Sequence, residues 1–195
     1  MKATSRIILC QAMIMAMVAF EAQAADVASL VQPCGMCHGP DGNSTNPTIP
    51  SIAGITSEYF KHTMDAYKNG GRKSEMMKNF VHSLTDADIT QIAGYFNKQK
   101  HIAREQQVDA ALAEKGKVLH EKYCIKCHEN GGRITENNYG ILAGQWMPYL
   151  KQAINAYLDG SRTVNPMMIA KLKALKNAEA DQGIDQIINY YASVK

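Results

Sequence analysis

The sequence predicts an all-helical protein built from two tandem domains of one fold. Two observations lead to this prediction: apolar residues recur at helical spacing along the chain, and the chain repeats itself with an offset of 90 residues. No alternation of polar and apolar residues persists long enough to indicate a strand. We expect a first domain over residues 25–100, a polar linker over 101–107 and a second domain over 108–195.

The repeat extends well beyond two copies of a Cys-x-x-Cys-His motif. Each copy continues into a similar helical segment, reaches a pair of methionines and closes with two adjacent aromatic residues. Because so many unrelated residue types match without a gap, duplication of one domain is the simplest explanation. The matched positions include Ala53-Gly54 with Ala143-Gly144, Tyr59 with Tyr149, Ala66-Tyr67 with Ala156-Tyr157, and Arg72 with Arg162.

Periodicity and end signals place the individual helices. Thr85 and Asp88 have the spacing of a capping box, and Gly70-Gly71 ends the preceding helical segment. Segments 39–56 and 129–145 are rich in Gly, Asn and Pro and are predicted as loops. In the first half, one predicted helix runs from about Asp26 into the first motif, and two more cover 56–69 and 85–99. In the second half, one predicted helix ends at Cys127, two cover 148–159 and 168–176, and a last one ends near Ala192.

The first 24 residues have the three parts of a secretory signal peptide. A basic stretch, MKATSR, precedes an apolar run over residues 7–20, and the segment ends in Ala22-Gln23-Ala24. The apolar run is too short to anchor the mature chain in a bilayer, and the alternative is an uncleaved N-terminal helix. We expect cleavage after Ala24, and a mature protein in the periplasm that has no membrane span.

Four of the five cysteines lie in the two motifs, and Cys10 would leave with the signal peptide. There are three alternatives for each motif: a disulfide, a redox-active pair of thiols, or half of a zinc site. A disulfide would not require a histidine directly after the second cysteine in both copies. The redox pair expects a βαβ context, and zinc needs further ligands nearby. The motif is the signature of covalent haem c attachment, with Cys34, Cys37, Cys124 and Cys127 as the tethers and His38 and His128 as iron ligands.

A second axial ligand is expected for each haem iron, and a methionine thioether is the usual choice for electron transfer. The candidates are the pairs Met76-Met77 and Met167-Met168, which we place in the loops after the repeated Gly-x-Arg. The gapless repeat matches Met77 with Met167, whereas counting back from the following helix favours Met168. Met64 lies within an amphipathic helix and is expected in the core.

The remaining polar residues are given supporting roles. None of the histidines at positions 62, 82, 101 and 120 recurs in the repeat, so we expect them at the surface or around the sites rather than on iron. A backbone carbonyl between Pro47 and Pro50 is the predicted acceptor for the His38 ring, and Gly140 stands opposite Pro50 in the second half, so the support there should differ.

Composition limits the partners. The formal charge is only +3, and no basic stripe interleaved with aromatic residues is present, which argues against nucleic acid. Halves of 80–90 residues have thin cores, so a large apolar cofactor would help each to fold.

Several runs of the mature chain have the pattern of one known family. In the second half they are ALAEKGKVLHEKYCIKCHENGG, YGILAGQWMPYLKQAI, MMIAKLKAL and YYAS, and in the first half they are CHGPDGNS, PSIA and ITQIAGYFNKQ. In these runs the mature chain resembles the diheme cytochromes c, and within them the cytochrome subunit of flavocytochrome c sulfide dehydrogenase. The resemblance implies Met77 and Met168 as distal ligands. It also implies an FAD-binding partner subunit that oxidises sulfide, electron transfer from its flavin to the haems, and delivery to a soluble cytochrome c-type acceptor.

Two other functions remain open at this stage. A free-standing diheme cytochrome c that carries electrons to a terminal oxidase would have the same fold and ligands. An enzyme, such as a haem peroxidase or a thiosulfate-oxidising diheme protein, would need an open or unusual iron site, against which the two methionines argue. A docked partner would need an apolar patch, for which Met36, Trp146 and Met147 are candidates, although Trp146 could equally be core.

Overall fold

A computed structural model describes residues 27–133 and 139–195 of the chain. The predicted signal peptide lies outside the described residues, as does the middle of the loop predicted over 129–145. Within the two described ranges the chain forms helices and loops and no strand, which confirms the all-helical fold. One isolated antiparallel bridge pairs Arg72 with Arg162, two residues that the repeat also matches.

The helices follow the repeat in their order. The first half contains α1 over residues 27–38, followed by three helices, and the second half contains four helices in the described ranges. The capping box of α4 is present as predicted, since the Thr85 side chain accepts from the Asp88 N–H and the Asp88 side chain accepts from the Thr85 N–H. The bounds are α2 Ser57–Lys68, α3 Glu75–His82, α4 Asp86–Asn97, α5 Ala110–Tyr123, α6 Glu129–Gly132, α7 Met147–Leu158 and α8 Pro166–Ser193.

The loop prediction was wrong for Met76, Met77 and Met167, whereas Met168 lies in a helix as the predicted helix over 168–176 implied. Met76 and Met77 lie in the first turn of α3, where the Ser74 side chain accepts a hydrogen bond from the Met77 N–H. Met167 and Met168 lie in the first turn of α8, where the Asn165 side chain accepts from the Met167 N–H. Ser and Asn are typical N-cap residues, but the polar residues around them resembled a loop.

Two helix ends also differ from the prediction. The helix expected to reach Cys127 ends at Tyr123, and Cys124 is its C-cap residue, so the second motif forms a turn rather than a helix. The two helices expected in the last thirty residues form one element, α8, which is interrupted at Ala180 by a backbone with φ 53° and ψ −151°.

Each half of the chain has its own hydrophobic core. In the first half α2 contacts α3 and α4, and in the second half α8 contacts α5 and α7. Met64 is buried in the first core, as predicted. The buried residues of the first core are Val31, Ile55, Phe60, Met64, Tyr67, Val81, Ile89, Ile92, Ala93, Phe96 and Ile141, and those of the second are Leu119, Leu150, Ile154, Leu172, Leu175, Ile184, Ile187, Ile188 and Tyr191.

Residues 101–109 connect the halves without forming a helix. The backbone N–H of Ile102 donates to the Asn43 side chain at 2.8 Å, and that of Arg104 donates to the Gly144 carbonyl at 2.8 Å. The connection is therefore bonded to both halves. In the described part of the chain, no helix combines the length and apolar character needed to cross a membrane.

Candidate functional site: two haem-attachment motifs facing one cavity

The first motif lies on the last turn of α1. Cys34 and Cys37 are three residues apart and therefore share one face of the helix. The buried His38 ring donates from Nδ1 to the Pro50 carbonyl at 2.8 Å, within the segment predicted to supply this acceptor. Because a carbonyl oxygen can only accept, Nδ1 carries the proton and Nε2 keeps a lone pair for a metal ion.

The second motif has a different backbone and different support. Cys124 caps α5, and the His128 N–H donates to the Cys124 carbonyl at 3.0 Å. The buried Nδ1 of His128 has no hydrogen-bond partner among the described residues, which agrees with the difference expected from Gly140. Burial, and secondarily the nearby His120, lowers the pKa of His128 to about 4, so its ring is neutral at pH 7. A neutral imidazole is the form that ligates metals.

No disulfide joins the four motif cysteines. Burial raises the pKa of Cys34, and it raises the pKa of Cys124 to about 11. A redox-active thiol needs a lowered pKa, because the thiolate is the reactive form. The raised pKa values of Cys34 and Cys124 therefore do not indicate reactive thiolates at these two positions.

In each half, a glycine carbonyl holds the loop that follows the motif by accepting two backbone hydrogen bonds. Gly42, at φ 83°, accepts from the N–H groups of Ile52 and Ala53 at 2.7 and 3.0 Å. Gly132, at φ 78°, accepts in the same way from Leu142 and Ala143 at 2.9 and 3.1 Å. An added Cβ at Gly42 would lie 2.8 Å from the Ala53 nitrogen, so a side chain would push this loop away from the motif.

The methionine pairs divide into an inner and an outer member. Met77 is partly buried and packs against the first core, and Met168 is partly buried and packs against the second. Their neighbours Met76 and Met167 are 58% and 56% exposed. The structure thus distinguishes two residues that the repeat alone left ambiguous.

One continuous cavity of about 1110 Å³ contacts both motifs. Its lining includes both histidines of the motifs, all four methionines and many core side chains. Haem c requires two cysteines for attachment and an imidazole and a thioether as iron donors, and each half has a cysteine pair, an imidazole with lowered pKa and a partly buried methionine. The cavity has room for large apolar groups. The residues present therefore fit two covalently attached haems.

Two arginines and two tyrosines cross between the halves at the wall of this cavity. Arg72 Nη2 donates to the Tyr149 hydroxyl at 3.2 Å, and Arg162 Nη2 donates to the Tyr59 hydroxyl at 3.3 Å. The two guanidinium groups also lie over the rings of Tyr67 and Tyr157 respectively. Neither arginine forms an ion pair with a carboxylate of the described residues.

Burial raises the pKa of the Tyr149 hydroxyl, but the two guanidinium groups outweigh burial and lower that pKa to about 8. The sequence reasoning assigned no function to these tyrosines and arginines. Their exact recurrence at an offset of 90 residues was the signal that could have identified them.

The other predicted supporting residues are placed as follows. His62 and His82 are exposed, whereas His120 is buried with its Nδ1 3.1 Å from the Tyr191 hydroxyl. His101 Nε2 donates to the Ala143 carbonyl at 2.9 Å. Met36 is 74% exposed, but Trp146 is half-buried and donates from Nε1 to the Ser44 carbonyl across the two halves at 2.9 Å. Trp146 is thus part of the contact between halves.

A helical chain wrapped around paired haem-attachment motifs defines the class of c-type cytochromes, and residues 24–110 match the family model described as cytochrome c. The chain is 32% identical over 148 residues to cytochrome c4 of Azotobacter vinelandii, covering 67% of this chain and 70% of that protein. It is 30% identical over 158 residues to the thiosulfate dehydrogenase electron acceptor of Thiomonas intermedia, covering 75% and 72%.

Among solved structures, reduced cytochrome c4 from Pseudomonas stutzeri matches with a TM-score of 0.75 and 26% identity, covering 88% of this chain and 98% of that one. The chain belongs to the diheme cytochrome c family and is similar to its cytochrome c4 members. It is an electron-transfer protein with two cytochrome c domains and two covalently bound haem c groups.

Proposed function

We propose that each haem iron has one histidine and one methionine ligand: His38 with Met77 in the first half, and His128 with Met168 in the second. The observation that supports this pairing most directly is that Met77 and Met168 are partly buried against the cores, whereas Met76 and Met167 are more than half exposed. The cysteines at 34, 37, 124 and 127 form the thioether tethers. Haem bound in this way supplies one reversible electron per site.

The chain's own residues keep these sites suited to electron transfer. The Pro50 carbonyl holds the His38 ring in one tautomer, so Nε2 is always the free nitrogen. Arg72 and Arg162 lie at the cavity wall and have no carboxylate partner in the described part of the chain, so they suit the carboxylates that a haem carries. With both axial positions taken, neither iron would offer a site for substrate, and this role involves no bond chemistry.

We propose that the protein works as a free-standing periplasmic carrier between a dehydrogenase and a terminal acceptor. The similarity to cytochrome c4, whose structure was solved for the cytochrome by itself, supports the free-standing role. The similarity to a thiosulfate dehydrogenase electron acceptor supports an inorganic sulfur compound as the source of electrons. The signal-peptide pattern over residues 1–24 supports the periplasm, and an N-terminus at Ala25 in protein purified from that compartment would test it.

The second candidate is the electron-transfer subunit of an FAD-containing sulfide dehydrogenase, which passes electrons to a soluble cytochrome c-type acceptor. The sequence runs in the second half favour it, above all ALAEKGKVLHEKYCIKCHENGG and MMIAKLKAL. The two candidates share the fold and the ligands, and they differ in whether a flavoprotein is bound.

Untagged purification from the native host separates the two candidates. We expect a protein with two haems and no flavin, whose haems are reduced by a sulfur-oxidising dehydrogenase added separately. Co-elution of a flavoprotein at equal stoichiometry, together with haem reduction by sulfide in that complex, would establish the second candidate and refute the first.

The domain bounds 25–100, 101–107 and 108–195 also stand as a proposal. Two separate core clusters support them, although Ile141 of the second half packs in the first core. Limited proteolysis of the holoprotein should cut first within 101–107 if this segment is a separable linker. Because residues 101–107 form hydrogen bonds to both halves, we expect cleavage within this segment to be slow.

A further inference from the structure

A buried glutamine joins the two halves through a pair of reciprocal hydrogen bonds. The Gln145 side chain accepts from the Ser51 N–H at 3.1 Å and donates to the Ser51 carbonyl at 2.6 Å. Gln145 and Ser51 are each 2% exposed. Leaving a buried amide without partners costs about 1–3 kcal/mol, so this pair resists separation.

The residue held by Gln145 is directly bonded to the carbonyl that orients His38. Pro50 precedes Ser51, and its carbonyl accepts from His38 Nδ1 at 2.8 Å. The Ser51 hydroxyl also accepts from the Ser44 N–H at 3.2 Å. With its N–H, carbonyl and hydroxyl all bonded, Ser51 leaves the Pro50–Ser51 peptide little freedom to rotate. Gln145, in the second half, therefore restricts the peptide that orients the histidine of the first.

The arrangement is not repeated in the other direction. At an offset of 90 residues, Gln145 corresponds to Ile55 and Ser51 corresponds to Ile141, neither of which has a polar side chain. Within the described ranges, the Nδ1 of His128 has no acceptor. Among the described residues, the coupling therefore runs from the second half to the first motif.

We propose that Gln145 is a positioning residue for His38, through which the second half of the chain sets the reduction potential of the first haem. The inference rests on the proposed ligation by His38. A hydrogen bond from Nδ1 to a fixed carbonyl makes the imidazole a stronger donor, which stabilises the oxidised iron and lowers the potential. Loosening the Pro50 carbonyl should weaken this bond and raise the potential of that haem.

The test is Gln145→Met in the full holoprotein, because methionine is close in size and cannot make either hydrogen bond. We expect the potential of the first haem to rise in a spectroelectrochemical titration, with that of the second unchanged. In proton NMR of the oxidised protein, the hyperfine-shifted signals of His38 should move while those of His128 stay. A folded Gln145→Met protein with both potentials and all His38 signals as in the wild type would overturn the proposal.

The matched control is Trp146→Phe, which removes a neighbouring hydrogen bond between the halves but leaves the Ser51 pair intact. It should leave the first potential unchanged, and the same shift in both variants would assign the effect to docking in general and reject a specific role for Gln145. If Gln145→Met does not accumulate as holoprotein, Gln145→Asn, which keeps the amide but is shorter, provides the same comparison. A wild-type protein without histidine–methionine spectra would refute the ligation itself, separately from Gln145.

Discussion

At the residue scale, the two methionine pairs offer an internal control for ligand assignment. Each inner methionine has a neighbour of the same type that is more than half exposed, at 58% for Met76 and 56% for Met167. Replacing the inner or the outer methionine of a pair removes the same side chain from two adjacent positions that differ in burial.

We predict that Met77→Ala and Met168→Ala each abolish one of two thioether-to-iron charge-transfer bands of the oxidised protein. The reason is that alanine removes the sulfur donor from one iron and leaves the other site intact. Visible absorption spectra of holoprotein measure this loss. Met76→Ala and Met167→Ala are the controls and should keep both bands, and a band lost in Met167→Ala but kept in Met168→Ala would reassign the second ligand.

Arg72 adds positive charge to the wall of the haem cavity without a carboxylate partner in the described residues. A nearby cation favours the reduced iron, which carries one positive charge fewer. We predict that Arg72→Met lowers at least one haem potential, whereas Arg72→Lys, which keeps the charge, lowers it less. Redox titration at fixed ionic strength checks this, and equal potentials in both variants would contradict an electrostatic role.

At the scale of elements, α5 and α8 approach so closely that a glycine is required between them. A Cβ at Gly116 would overlap the Gln186 carbonyl of α8 and come within 2.8 Å of the Tyr190 Cβ. The two helices position opposite ends of the second site, since α5 leads into Cys124 and α8 begins beside Met168. Their separation therefore affects both packing and the haem site.

We expect Gly116→Ala to lower the free energy of unfolding by about 1–3 kcal/mol, because the backbone of α8 must move to admit the methyl group. Denaturant unfolding of the holoprotein measures the change. Gly94→Ala in α4 is the matched control: nothing lies within 4 Å of its added Cβ, and a gain of about 0.4–1 kcal/mol is expected. Equal effects of the two substitutions would show that the close approach is not important.

The N-terminus of α4 depends on its capping box. Thr85→Ala removes the hydroxyl that accepts from the Asp88 N–H at 3.2 Å, and we expect a loss of about 1 kcal/mol in unfolding free energy. Thr85→Ser retains the oxygen and should recover most of the loss. Urea unfolding followed by circular dichroism measures both variants, and a Thr85→Ala protein as stable as Thr85→Ser would be inconsistent with the cap.

At the scale of the whole molecule, polar contacts hold the halves in one arrangement. The Thr163 N–H donates to the Gly71 carbonyl at 2.7 Å, and the Tyr149 N–H donates to the Pro47 carbonyl at 3.1 Å. Around them, each tyrosine hydroxyl of the cluster binds the arginine of the opposite half. This exchange of partners fixes the two haem sites relative to each other.

We predict that Tyr59→Phe and Tyr149→Phe each destabilise the holoprotein by about 1.5–3 kcal/mol, the usual range for a hydrogen bond to a charged group. The loss of unfolding free energy in the double variant should differ from the sum of the two single losses, because the two tyrosines and the two arginines belong to one cluster. Thermal or denaturant unfolding measures the three variants. Strict additivity would mean that the two bonds act independently and that the cluster does not couple the halves.

Local patterns were enough to predict the helical fold, the duplication and the two haem motifs. These features depend on side-chain type and spacing, which are read directly from residues such as Cys34, Cys37 and His38. The carbonyl that accepts from His38 could be limited to the segment from Pro47 to Pro50, because that segment follows the motif closely in the sequence. The start of α3 at Glu75, after the Ser74 cap, and the early end of α5 at Tyr123 were missed, since capping and packing compete with periodicity there.

The sequence by itself determined the class of protein, since two Cys-x-x-Cys-His motifs and a 90-residue repeat have few other physical uses. Only the tertiary structure distinguished Met168 from Met167 by burial, and only it joined Gln145 to Ser51. The physical reason is that both depend on contacts between residues far apart in the chain. Such contacts depend on how the helices and the two halves pack together. The spacing of residues along the sequence does not reveal that packing.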